Sequence, residues 1–186
     1  MHGPAMSGWL LVALCLVAGA YCLARTRSST GAERGAALDE ALMGFGMAAM
    51  AVPAAAVAPP EWAWVVYAVV FGAASVRALW SARGGTGHHL HHLVGSLAMV
   101  YMAVAMAGGG AGAHGAHGAA GGMPLVTGAL LTYYTGYVLV TGRRLVPAVP
   151  AGPPVAGADG RWAGAEVALA CRVSMGLAML AMLVAV

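Results

Sequence analysis

The sequence predicts an all-α, polytopic transmembrane helical bundle of about six spans. Three observations predict it. Of 186 residues, 61% are hydrophobic and 8% charged, against about 25% charged in soluble domains. Mean hydropathy is +0.80. The apolar residues fall in runs of ~20, the length at which a helix crosses a hydrocarbon core of ~30 Å. Short stretches rich in Gly, Pro and Arg separate the runs. The chain therefore reads as a single integral membrane domain over residues 1–186, with the lipid bilayer as its first partner.

Span one covers 7–24, led by Trp9 and closed by Arg25 and Arg27. The preceding MHGPAMSGW lacks the positive segment of a signal peptide, so the run is expected to be a retained helix. Span two covers 36–58, with Pro53 in its last turns expected to kink or end it. Span three, 61–80, lies between Trp62 and Trp64 at one end and Arg77 and Arg83 at the other. Span four, 88–107, gives way to a Gly/Ala/His loop at 108–122, which is too small and flexible to form packed structure. Span five, 124–142, ends at Arg143-Arg144, and a Pro/Gly linker leads to span six, 162–186.

Arginine lies after span one, after span three and on both sides of the linker between spans five and six. All three connections share one side of an alternating topology, and cationic loops stay in the cytoplasm. This places both termini outside a cell membrane. Trp9, Trp62 and Trp64 mark one interface in this arrangement, and Trp80 and Trp162 the other.

The net charge of +3 comes from scattered Arg without any Lys. With no basic patch interleaved with aromatics, nucleic-acid binding is not expected. Cys15, Cys22 and Cys171 lie in spans without a C-x-x-C, so no disulfide framework is indicated. Hydrolase, zinc-protease, phosphate-loop and haem-attachment motifs are absent from the sequence. No catalytic residue is assigned.

What the sequence does carry is soft metal ligands at helical spacing. His88, His92, Met99, Met102 and Met106 fall on one side of span four. Asp39, Met43, Met47 and Met50 lie within roughly 80° of arc on span two, and Cys171, Met175, Met179 and Met182 do the same on span six. Nine of the twelve Met sit on spans two, four and six, which run in one direction. Neutral imidazole and thioether suit Cu(I), and a site of neutral ligands buries no ligand charge when empty. His88 and His92, at i and i+4, could chelate one metal between them. His89 and His91 are expected to point away into solvent. Depth alignment orders the ligands from Asp39, His88 and His92 at the cytoplasmic end to Met50, Met106, Met179 and Met182 near the outside. His2, Met6, His114, His117 and Met123 lie in the outer loops. Met47 and Met99 stand at the centre of the series. Any one such stripe is also the packing face of an ordinary helix, where Met fills gaps.

Arg172, about ten residues into span six, needs a counter-ion, for which Asp39 or Glu40 is placed, and Glu166 would pair with Arg77 or Arg143. Tyr133, Tyr134 and Tyr137 read as packing or belt residues on span five.

The segments ALMGFGMAAMAVP (41–53) and HHLVGSLAMVYM (91–102) resemble a family of small actinobacterial multi-pass membrane proteins catalogued as a domain of unknown function. The resemblance covers about 36–186. It implies a membrane location and Met/His-bearing helices, but no activity or ligand.

The function expected from the residues is copper handling: a membrane protein that binds Cu(I) through a His/Met interior, as carrier, path or store. The first alternative is a haem-binding redox protein with His92 and a Met of span two or six as axial ligands. In its disfavour, every intramembrane His lies on span four. The second alternative is a metal-free structural subunit, with small residues such as Gly44 and Ala48 at helix contacts. A homo-oligomer or a membrane partner protein is compatible with each.

Overall fold

In a computed structural model, residues 4–52, 59–82, 88–109, 123–145 and 159–185 are described. They form α1 (Pro4–Arg25), α2 (Gly31–Met50), α3 (Glu61–Ala82), α4 (His88–Gly109), α5 (Pro124–Gly142) and α6 (Asp159–Val184). Among the described residues there is no strand. Pro53, the Gly/Ala/His loop with His114 and His117, the linker before α6 and His2 lie outside them.

Among the described residues, five helices (α1, α3, α4, α5 and α6) are long and apolar enough to cross a membrane. This is one fewer than the sequence reading. The sixth, α2, carries Glu33, Arg34, Asp39 and Glu40 in its first half. It also starts earlier than expected, at Gly31 rather than residue 36. Ala, Glu and Arg are good helix formers, so the polar stretch assigned to a loop continues the helix. Glu33 in its first turn also complements the helix dipole. Gly31 adopts φ +56°, a left-handed conformation that Gly takes without steric cost, and here the chain reverses between α1 and α2. At the other end, α2 stops at Met50, eight residues before the expected end at 58, with Ala51 as its cap. The remaining boundaries agree within three residues.

The helices associate as three successive pairs, α1 with α2, α3 with α4 and α5 with α6. The α2 helix occupies the centre, touching α1, α4 and α6 and reached from α3 by Phe71, whose ring a Cβ on Gly46 would strike. Leu10, Val17, Val65, Val69, Val104 and Leu139 are exposed on the outside, as expected of surfaces facing lipid. Trp62 and Trp80, exposed near opposite ends of α3, suit the two interfaces.

Lipid tails are as apolar as the core, so association depends on close packing and polar contacts. Gly44 makes the closest approach. A Cβ there would lie 2.8 Å from Gly19 Cα and 3.2 Å from the Cys15 carbonyl oxygen, so α1 and α2 meet backbone to backbone. Gly44→Val is expected to force them apart and cost about 1–3 kcal/mol, measurable as a lower unfolding midpoint in detergent. Gly35→Ala, which meets nothing within 4 Å, serves as the tolerated control.

Candidate functional site

The charges of α2 define the site. Glu40 is buried, with its side chain 6% exposed. Arg172 of α6 donates Nε–H to Glu40 Oε1 at 2.7 Å, and Arg25 of α1 approaches Oε2 to 3.6 Å. The Cys22 thiol donates to the same oxygen, Sγ–Oε2 3.6 Å. One carboxylate thus holds α1, α2 and α6 together. Of the two counter-ions placed for Arg172, Glu40 is the one used. Asp39 instead pairs with Arg77 of α3, so the expected pairing of Arg77 with Glu166 does not occur. Glu166 is exposed.

Beside this network lies a cavity of about 360 Å³, lined by Glu40 and Met43 of α2, His91 and His92 of α4, Tyr134 and Tyr137 of α5, and Arg172, Met175, Gly176 and Met179 of α6. Helical periodicity explains the convergence. Met43 follows Glu40 by three residues, Met175 follows Arg172 by three and Met179 by seven, so each series stays on one face. His92 and Met43 are buried, as are Met175 and Met179. Gly95 makes room on α4: a Cβ there would collide with the Met43 methyl and lie 3.1 Å from its sulfur and 3.3 Å from the Tyr134 hydroxyl. The Tyr134 side chain is 1% exposed, and its hydroxyl has no hydrogen-bond partner.

His91 does not point into solvent. Its ring stacks on Tyr137 at 3.9 Å and 11°, and its Nδ1 shares a 3.0 Å hydrogen bond with the Tyr133 hydroxyl. His91 and His92 thus both line the chamber. The three α5 tyrosines were the signal for it: all three rings meet His91, and Tyr134 and Tyr137 also line the chamber. Farther along α4 from His91, Tyr101 shares a hydrogen bond of 2.6 Å with Thr127 of α5.

The remaining sequence-derived ligands separate from this chamber. Met47, Met99 and Met102 are fully buried in the hydrophobic core, and Met182 belongs to the same core. Met50 and Met106 line a second cavity of about 520 Å³ with Trp64 and Tyr67. Cys171 is partly buried beside Arg172 and does not line the chamber. Asp39 lies behind His92, in smaller cavities shared with α3. The His88 side chain lies outside the described residues. Among the described residues, no three His, Cys, Asp or Glu groups gather as a metal cluster, so a metal in the chamber would rely on thioethers.

Fold and site together define a helical membrane protein with a His/Tyr/Met chamber built against a buried ion-pair network. Residues 32–186 match the family described as Domain of unknown function (DUF5134), and the chain belongs to that family. No curated protein and no solved structure matches the chain.

Proposed function

We propose that this protein binds a soft transition metal, Cu(I) above all, in the chamber between α2, α4, α5 and α6, and serves in copper handling. One observation carries the reading. His92, Met43, Met175 and Met179, four neutral soft ligands from three helices, line a single cavity, and such donors select Cu(I). The ligand set is narrower than the ladder read from sequence. Met47, Met99 and Met102 fill the core between the chamber and the Met50/Met106 cavity, which favours a holding site over an open path. The arginine-bearing ends of the helices face the cytoplasm of a cell membrane in this reading, placing the chamber in its cytoplasmic half.

The test is metal content by mass spectrometry after anaerobic detergent purification with Cu(I) supplied, together with an absorption spectrum. Near-stoichiometric copper that survives a competing chelator, without a haem band, is the expected result. Absence of copper overturns the reading. A haem reading draws on the same walls, because His92 and Met175 or Met179 could form a His/Met axial pair. A Soret band would establish it in place of copper.

A further inference from the structure

Resting on the copper reading, we infer that His91 is a second imidazole ligand for Cu(I) in the chamber, binding through Nε2, and that Tyr133 positions it. Three rings of α5 fix the His91 side chain. It stacks on Tyr137 with ring centroids 3.9 Å apart and planes inclined by 11°. The rings of Tyr133 and Tyr134 lie 6.1 and 6.2 Å from it, and its Nδ1 is 3.0 Å from the Tyr133 hydroxyl. A side chain locked by its surroundings in this way presents its donor atom already ordered, as a metal site requires.

The hydrogen bond also decides which nitrogen binds. His91 lines the chamber and Tyr133 does not, so Nδ1 is turned to a partner outside the chamber and the nitrogen that serves the metal is Nε2. The Tyr133 hydroxyl can accept as well as donate. With a metal at Nε2, the neutral ring keeps its proton on Nδ1, and Nδ1–H donates to the Tyr133 oxygen. Metal-bound histidines carry such a contact on their other ring nitrogen, where it sets the tautomer and raises the basicity of the ligand. His92, the next residue of α4, lines the same chamber, so one helix supplies both imidazoles. The second imidazole takes the place of one thioether among Met43, Met175 and Met179 at the metal.

The experiment uses the full chain in detergent under anaerobic conditions, with Cu(I) as the probe. Affinity is read by chelator competition, and the donor atoms by X-ray absorption at the copper edge. His91→Phe keeps an aromatic ring against Tyr137 and removes both nitrogens. It is expected to weaken binding by about tenfold or more and to lower the nitrogen share of the donors. His91→Met offers a thioether instead and is expected to hold copper with sulfur in place of nitrogen, an exchange that a packing role would not produce. Tyr133→Phe is expected to weaken binding by about 10–100-fold with the nitrogen share retained. Because Tyr133 is 37% exposed, the unfolding midpoint of the metal-free variant should match the wild type. An unchanged nitrogen share in either His91 variant overturns the ligand and leaves the copper site standing. Unchanged affinity in Tyr133→Phe overturns the positioning role. A wild-type chain that takes no copper overturns the copper reading and this inference with it.

Discussion

Replacing Met43, Met175 and Met179 together with Leu is expected to abolish copper retention, while the pair Met47→Leu and Met99→Leu keeps it. The two sets look alike in sequence: same residue type, same helical spacing and same depth of burial. They differ in what they face. All five belong to the buried core, but the first three also line the chamber and the other two do not. Met→Leu conserves volume and usually costs under about 1.5 kcal/mol per site, so both variants should fold and insert. Metal content of the purified proteins is the readout. Copper lost from both variants alike would restore the extended ladder. Copper kept by both would return all the methionines to packing.

The largest expected effect on stability is at Glu40. Glu40→Gln leaves Arg25 and Arg172 without their shared charge partner inside the bundle. Breaking a buried pair in this way costs about 3–5 kcal/mol. The expected result is a sharply lower unfolding midpoint in detergent and reduced yield. Because both residues serve one network, Arg172→Met in the same chain should restore part of the loss, a coupling of about 0.5–3 kcal/mol. Asp39→Asn provides the contrast. Arg77, its partner, is 57% exposed, and pairs of that kind are worth about 0.2–1 kcal/mol. A Glu40→Gln effect no larger than that of Asp39→Asn would remove the network from its central place.

Most of the fold was legible because lipid-spanning helices have a length and an apolarity that composition reveals, and α5 was placed to the residue. At α2 the helix was foreseen but its bounds were not, because the polar first turns of a helix buried in its neighbours resemble a loop followed by a span. The inward direction of the methionine stripes was equally legible, since a 3.6-residue period fixes one face. Which methionines face a space and which face each other was not, because that depends on Gly46 and Gly95 admitting Phe71 and Met43. His91 was missed for a related reason. One residue turns the helix by ~100°, so Tyr137 and Tyr133 of the neighbouring helix receive it, and no pattern within α4 records where α5 will lie.

The central helix also bears on how the protein is assembled. In membrane insertion, an Asp or Arg at mid-helix opposes partitioning by about 2.5–3.5 kcal/mol, so α2, with four charged residues, is a poor candidate to enter lipid alone. It follows α1 after a turn of a few residues, and α1 brings Arg25 to Glu40 and Gly19 to Gly44. The two are thus suited to leave the insertion machinery as one hairpin. Arg172, by contrast, comes from α6, 132 residues after Glu40. Until α6 is synthesised, Glu40 lacks the partner that donates its 2.7 Å hydrogen bond, and the contact between α2 and α6 remains unlocked. The ion-pair network therefore closes only once α6 has joined α1 and α2, and a chain cut before α6 should present to membrane quality control an acidic group that Arg172 otherwise covers.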